Sequence, residues 1–223
     1  MKKSIFLSFI LCLCLVACIP QQAMAQKQSR MEKLLRYLND NDADKWQKNR
    51  EKLDDETKAY YAEDLSLMDV LNDLWNGQSE QAATLYFGCY EKAAQNNFPS
   101  ICEGEKIPLS QIRDKADQSI INLLEASKDK IPFSRALLDS IHATEYPVDS
   151  AMLQRLQNIR EVALLEGMLK APTPIIYQTY VKEYPNGKFI AQVNASENVR
   201  LYQLVKTTPT PANFKAFFED PEM

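Results

Sequence analysis

Hydrophobic side chains recur at steps of three and four residues along most of the chain, which is the spacing of one face of an α-helix. The longest stripe lies in segment 150–170 and comprises Met152, Leu156, Ile159, Val162, Leu165 and Leu169. Another lies in segment 108–128 and comprises Ile112, Ala116, Ile120 and Leu123. No run of alternating β-branched residues has the pattern of a strand. The pattern therefore predicts an all-α protein.

The same spacing predicts helices in pairs nearer the N-terminus. Segment 54–77 carries a stripe at Tyr61, Leu65, Met68, Leu71 and Trp75, and Gly77 is placed to end that helix. Segment 79–97 follows as its partner, and segments 31–39 and 45–53 form another pair. Residues 26–130 are therefore expected to form N-terminal helix pairs.

Prolines divide the rest of the chain at a regular interval. One series comprises Pro132, Pro172 and Pro209, which are 40 and 37 residues apart. A second series comprises Pro147, Pro185 and Pro221, which are 38 and 36 residues apart. Because proline fits poorly inside a helix, each should mark a helix boundary. Helical repeat arrays have intervals of this size, so residues 131–223 are predicted to form repeats of about 38 residues.

A tyrosine-rich phrase lies in this region, at Tyr177-x-x-Tyr180-x-x-x-Tyr184-Pro185-Asn186-Gly187. It resembles the YxxFxxxYPxS phrase of tetratricopeptide-like repeats, in particular those of bacterial envelope proteins, including outer-membrane assembly lipoproteins. Fragments of the phrase recur at Glu145-Tyr146-Pro147 and Asp220-Pro221. The resemblance implies a tetratricopeptide-like α-solenoid, which is a right-handed stack of antiparallel helix pairs.

The last repeat is represented by a short segment. Thr210-Pro211 repeats the helix start at Thr173-Pro174, with Thr as N-cap and Pro at the first helical position. Segment 210–220 is therefore predicted to be the first helix of a further repeat. Its three phenylalanines, Phe214, Phe217 and Phe218, are spread over more than one helix face, so at least one is expected to be exposed.

The N-terminal residues predict export. Lys2 and Lys3 precede an apolar run that is too short to span a bilayer comfortably, and Ala23-Met24-Ala25 fits a small-x-small cleavage site. This layout predicts a signal peptide over residues 1–25. Leu15-Val16-Ala17-Cys18 resembles a bacterial lipobox, which instead gives a lipoprotein signal over residues 1–17 and an acylated Cys18. Both interpretations place the mature protein in the periplasm or elsewhere outside the cytoplasm, and the second anchors it to the outer membrane.

Charge limits the classes of partner. The chain has a net charge of −4, and losing Lys2 and Lys3 with the signal segment makes it −6. An acidic protein is poorly suited to phosphate backbones, so nucleic acid is not expected as a partner. No other apolar run is long enough to cross a bilayer, so contact with a membrane is expected only through a lipid anchor.

Two cysteines remain after the signal segment, which holds the other three of the five. Cys89 and Cys102 are an even number in an oxidising compartment, where thiols tend to pair. The compartment therefore predicts a disulfide between them. The alternative is two buried free thiols.

Few residues have the pattern of a chemical site. His142 is the only histidine, so it has no partners for a catalytic triad or a zinc site, and the glycines form no phosphate-binding loop. Asp40, Asp42, Asp44 and Glu51 have the spacing of a calcium loop. However, Lys45 and Gln47 stand where that loop needs glycine and an apolar residue. The segment is therefore predicted to be a turn in which Asp42 or Asp44 caps the next helix, and no catalytic, cofactor or metal residue is expected.

Stacked helix pairs have extended surfaces that bind other polypeptides. The predicted function is therefore a non-enzymatic scaffold for a protein or peptide partner, contacted by Tyr177, Tyr180, Tyr184, Phe214, Phe217 and Phe218. The alternative is a saccharide-acting enzyme on an α/α helical scaffold that uses paired carboxylates. A third interpretation is a structural tether. The enzyme should have a deep acidic pocket with two converging carboxylates, whereas the scaffold should have a groove lined by tyrosines.

Overall fold

The computed structural model describes residues 23–77 and 79–218, and within these ranges all regular secondary structure is helical. The helices are α1 (23–39), α2 (Ala43–Glu51), α3 (Asp55–Tyr60), α4 (Ala62–Asn76), α5 (Glu80–Ala94), α6 (Phe98–Glu105), α7 (Leu109–Ala126), α8 (Lys130–His142), α9 (Ser150–Lys170), α10 (Pro174–Glu183), α11 (Ile190–Thr207) and α12 (Pro211–Phe218). The predicted all-α class is confirmed. Cys18, most of the predicted signal segment and the Asp220-Pro221 fragment lie outside the described residues.

Side-chain caps begin several of the helices. Asp42 accepts from the backbone N–H of Lys45 at the start of α2, so the predicted capping turn is confirmed. Thr173 accepts from the N–H of Ile176, with Pro174 at the first position of α10, as the Thr-Pro pair predicts. Each cap satisfies an N–H that has no partner within the helix.

The prolines mark helix boundaries in most of the predicted places. Pro172, Pro185 and Pro209 lie between helices, and Pro147 lies just before α9. Pro132 instead lies in the first turn of α8, where its missing N–H would have had no helical acceptor. Pro221 lies outside the described residues.

The described chain forms two compact units. Unit 1 contains the residues up to Leu123 together with Ser140–Pro147, and unit 2 contains Leu124–Asp139 and the residues from Val148 onward. Within unit 1 the helix predicted over 54–77 is divided at Tyr61 into α3 and α4. The predicted C-cap at Gly77 is confirmed, because its N–H donates to the carbonyl of Asp73.

The core of unit 1 combines aliphatic and aromatic side chains. Leu65, Met68 and Leu71 are buried as the stripe predicts, whereas Trp75 is only half-buried. Tyr146 packs edge-on against Phe87, with ring centroids 4.9 Å apart, and its hydroxyl donates to Asp117 Oδ1 at 2.5 Å. The hydroxyl of a buried tyrosine needs such a partner, so Asp117 fixes the position of the ring.

Asp64 is a buried carboxylate in unit 1. Its Oδ2 accepts from Asn96 Nδ2 at 3.1 Å, and it interacts with the backbone amides of Asn97 and Phe98 at the start of α6. The side chain of Asn97, the N-cap residue of α6, makes no capping bond, and the Asp64 carboxyl group is the acceptor beside the first amides of that helix. Burial outweighs these contacts and raises the pKa of Asp64 to about 7.

This raised pKa predicts a pH-dependent stability. The folded state retains the Asp64 proton between the unfolded pKa of 3.8 and the folded pKa of about 7. Its contribution is therefore fully present below the lower value and lost as pH rises through the higher one. We expect Asp64→Asn to remove this pH dependence. Between pH 4 and 8 the unfolding free energy of the variant should rise relative to that of the wild type by at most about 4 kcal/mol.

Urea denaturation of the wild type, Asp64→Asn and Asp73→Asn at pH 4 to 8 measures this effect. The difference in unfolding free energy between Asp64→Asn and the wild type should grow with pH. Asp73 is exposed on the same helix, so the difference for Asp73→Asn should stay nearly constant. A pH-independent difference for Asp64→Asn contradicts the raised pKa.

In unit 2, α9, α10 and α11 pack against one another, and α12 packs on α11. Their core comprises Leu164, Leu165, Met168, Tyr180 and Val193. The stripe predicted on α9 is partly wrong: Val162 and Leu169 are exposed, whereas Arg160 and Glu161 are buried. Both charged side chains have partners on other segments of unit 2, which makes their burial tolerable.

The helices of the described residues are each too short or too polar to cross a bilayer.

Candidate functional site

The three tyrosines predicted to contact a partner pack inside unit 2. Tyr180 is completely buried, and its hydroxyl donates to Glu161 Oε1 at 2.8 Å and accepts from the N–H of Phe189 at 3.1 Å. Tyr184 is half-buried and donates to the carbonyl of Gln157 at 3.1 Å. Tyr177 is half-buried against the core. The partner contact predicted for Tyr180 is therefore wrong, and no tyrosine-lined groove is formed by these three residues.

The tyrosine phrase fastens the turn after α10 to α9. Glu161 Oε1 accepts from Tyr180 and also from the N–H of Lys188 at 2.7 Å. A Cβ atom at Gly187 would lie 2.5 Å from both Glu161 Oε1 and the Tyr180 hydroxyl, so only glycine fits there. Burial, together with the Glu161 contact, raises the pKa of Tyr180 to about 12. The hydroxyl therefore remains a donor, and the phrase has a structural role.

Arg160 is the centre of a second buried polar network. Its guanidinium donates to Glu183 Oε2 and Oε1 at 2.5 and 2.9 Å, to the carbonyl of Ile131 at 2.8 Å and to Ser134 Oγ at 3.2 Å. Arg135 also donates to Glu183 Oε1 at 2.9 Å. The hydrogen bond from Arg160 is the main cause that holds the pKa of Glu183 below its usual value. An arginine with this many partners positions α8, α9 and α10 within unit 2 and is not free to bind a ligand.

The two cysteines are separate thiols, so the predicted disulfide is not formed. Cys89 on α5 is half-buried, with its Sγ 3.5 Å from Ser66 Oγ on α4. Cys102 on α6 is buried, and burial raises its thiol pKa to about 12. Two thiols can pair only where helix packing brings their sulfurs together, and here Cys89 contacts Ser66 whereas Cys102 is buried on α6.

Three cavities in the described residues have different linings. One of about 260 Å³ in unit 2 is lined by Lys128, Asp129, Lys130, Glu166 and Lys170 among others, so lysines outnumber the carboxylates. Two in unit 1, of about 360 and 530 Å³, are lined by Cys102 and Glu103 and by Tyr60 and Ser100 among others. His142 is exposed at the end of α8. Within the described ranges, no group of three or more His, Cys, Asp or Glu side chains is placed to hold a metal.

The most unusual surface of unit 2 is apolar and lies on α11 and α12. Four large apolar side chains there are exposed, at fractions of 60% for Val199, 53% for Tyr202, 42% for Phe214 and 69% for Phe218. We call these four residues the C-terminal apolar surface. The expectation that at least one of the three phenylalanines is exposed is confirmed. Ring contacts through Phe217 join Tyr202, Phe214 and Phe218, and contiguous exposed apolar side chains commonly mark interaction sites.

Aromatic contacts fix the arrangement of this surface. The half-buried ring of Phe217 packs against Tyr202, with centroids 6.3 Å apart, and so joins α12 to α11. The rings of Phe214 and Phe218 are stacked, with centroids 6.4 Å apart. Val199 lies on the exposed side of α11, whose buried residues are Val193, Glu197 and Leu201. The sequence analysis did not single out Tyr202, although its step of three from Val199 places both on one helix face.

Comparison of the chain with protein family models, with curated proteins and with solved structures found no match in any of the three.

Proposed function

We propose that this protein is an exported helical-repeat scaffold that binds a protein or peptide partner through the C-terminal apolar surface. The observation that carries the proposal is the exposure of Val199, Tyr202, Phe214 and Phe218 on two adjacent helices. These four side chains gain little burial free energy on folding, because most of their apolar area stays in water. A partner that buries them would gain that free energy on binding.

The proposed solenoid, a tetratricopeptide-like stack, is supported by helix packing in unit 2. Its helices pack with their neighbours in sequence, α9 with α10, α10 with α11 and α11 with α12, and α9 also packs with α11. The starts of α10 and α12 repeat the same Thr-Pro pair. Neighbour-to-neighbour packing of this kind is what a repeat array requires.

Export is supported by the burial pattern of α1. Residues 23–30 are exposed or half-buried, and Met31 is the first buried residue in the described chain. Cleavage after Ala25 or before Cys18 would therefore leave the described core of unit 1 intact. We propose a periplasmic or other extracytoplasmic location, with a lipid anchor at Cys18 as the alternative processing route.

Partner capture from envelope extracts tests the binding proposal. The double variant Phe214→Ala/Phe218→Ala should lose at least about tenfold of the captured partner, because exposed aromatic anchors dominate binding at such surfaces. The control is Leu85→Ala, which removes a 50% exposed apolar side chain from α5 and should leave capture unchanged. Circular dichroism checks that both variants keep their helices. Equal capture by the wild type and the double variant would reject the proposed surface.

A further inference from the structure

We infer that the cavity of about 530 Å³ in unit 1 binds a small organic cation, whose ammonium group is held by Tyr60, Tyr61 and Asp64. This site is separate from the surface of unit 2 to which partner binding is proposed, so either can exist without the other. Three features of the cavity point to such a ligand: its aromatic wall, a buried carboxyl group behind that wall, and the negative charge around it.

Two tyrosine rings form the aromatic wall of the cavity. Tyr60 is the last residue of α3 and Tyr61 joins that helix to α4. Their ring centroids are 4.9 Å apart and the ring planes meet at 78°. Tyr61 is buried, whereas Tyr60 is 45% exposed, so a ligand can reach it from solvent. The faces of aromatic rings attract cations, and rings set at an angle hold ammonium groups in aromatic cages.

Asp64 lies behind this wall and has one oxygen without a partner. It is on α4, about one turn after Tyr61, and is fully buried. Its Oδ2 accepts from Asn96, but Oδ1 makes no hydrogen bond within the part of the chain that the structure describes. The backbone amide of Asn97, a lining residue of the cavity, interacts with the same carboxyl group. An ionised carboxyl group that is buried and incompletely paired is stabilised by a cation nearby.

The charge around the cavity is negative. Burial raises the pKa of Tyr61, and the nearby Asp64 and Glu32 carboxylates add to the rise. The described residues that line the cavity include no lysine or arginine. On α1, Lys27 is already paired with Glu56. The cavity therefore attracts a cation and repels an anion.

The rest of the cavity suits a polar substituent on the cation. Gln28, Asn97 and Ser100 contribute amide and hydroxyl groups to the lining. These groups can both donate and accept hydrogen bonds, so they bind neutral polar atoms of a ligand. The ligand class is therefore an ammonium group attached to a small polar remainder.

Both predicted processing routes leave these binding groups in place. Met24 and Ala25 also line the cavity, and cleavage after Ala25 would remove them. The aromatic, carboxyl, amide and hydroxyl groups described above all lie at residue 28 or later. Cleavage would therefore open the cavity on the side of α1 and retain the groups that bind the cation.

Choline and dimethylbutanol, its uncharged carbon analogue, test the inference because they have nearly the same shape. Isothermal titration calorimetry with the purified exported protein at about pH 8, where Asp64 is mostly ionised, should give at least about tenfold tighter binding of choline. Asp64→Asn and Tyr60→Leu should each remove that preference.

Two matched variants are the controls. Asp73→Asn changes an exposed carboxylate of the same helix as Asp64, and Tyr202→Leu changes an exposed tyrosine of unit 2. Both should keep the preference for choline. Circular dichroism checks that all four variants keep their helices.

Each other outcome overturns the inference. Equal binding of choline and dimethylbutanol, or no binding of either, rejects the organic cation. A preference for choline that survives Asp64→Asn or Tyr60→Leu places the choline site elsewhere on the chain. Binding of N-acetylglucosamine without binding of choline assigns the cavity to a neutral saccharide.

Discussion

Gly187→Ala is expected to destabilise the protein by about 1–3 kcal/mol, the range for forcing extra volume into a well-packed site. The added Cβ would lie 2.5 Å from Glu161 Oε1 and the Tyr180 hydroxyl and 2.9 Å from Tyr184 Cβ. Tyr184 Cβ is attached to the backbone and cannot turn away. The substitution must therefore move the turn after α10 and break the hydrogen bonds that Glu161 accepts.

Gly88→Ala is the matched control and should have the opposite sign. Gly88 lies in the middle of α5, and no atom lies within 4 Å of a Cβ added there. Alanine in a helix interior is favoured over glycine by about 0.5–1 kcal/mol, so this variant should be more stable than the wild type. Urea denaturation of the three proteins measures both effects. A Gly187→Ala protein as stable as the wild type would contradict the close packing of the tyrosine phrase.

Arg160→Ala is expected to destabilise the protein by about 3–5 kcal/mol, the usual cost of removing one partner from a buried ion pair. Glu183 would keep only Arg135, and the buried hydroxyl of Ser134 would lose its donor. The carbonyl of Ile131 would lose one of its two side-chain donors and keep the Ser134 hydroxyl. Buried acceptors without donors are costly because they have given up water.

The control for Arg160→Ala lies on the same helix. Arg155 pairs with Glu125 at 2.7 Å, but both side chains are close to half exposed. Exposed pairs contribute little, so Arg155→Ala should cost less than about 1 kcal/mol. Thermal and urea denaturation of the two variants compares them directly. Equal losses of stability would mean that Arg160 contributes only as a surface ion pair does.

The helices themselves could be predicted from the sequence because their signals are local. Thr173-Pro174 caps α10, Gly77 ends α4 and Pro185 separates α10 from α11, as each residue type predicts. These signals act over a few residues and depend little on the rest of the fold. The prolines recur at a regular interval because most of them lie at the ends of helices.

The buried faces could not be predicted as well, because they depend on distant partners. Arg160 and Glu161 interrupt the apolar stripe of α9, and their burial depends on Glu183 and on Tyr180 with Lys188, which are 19 to 27 residues away. Periodicity treats both charged residues as surface positions. The stripe was therefore placed on a face that includes the exposed Leu169.

Exposure of the residues assigned to partner binding could also be predicted only in part from the sequence. Tyr180 and Phe218 are both aromatic residues of short helices, and the sequence analysis assigned both to partner binding. In the structure Tyr180 is buried because Glu161 and the turn at Lys188 supply partners for its hydroxyl. Phe218 is exposed on the outer face of α12. Burial of an aromatic ring therefore depends on the tertiary neighbours that surround it.

The central claim is that a partner polypeptide binds over α11 and α12, and site-specific photo-crosslinking in living cells tests it most directly. A photoreactive amino acid at Gln203, an exposed residue beside Tyr202, should crosslink to one discrete polypeptide. The crosslink should disappear in the Phe214→Ala/Phe218→Ala background. The same probe at Gln81, an exposed residue of α5, should give no such product. Absence of a crosslink at Gln203, or the same product from Gln81, would contradict the claim.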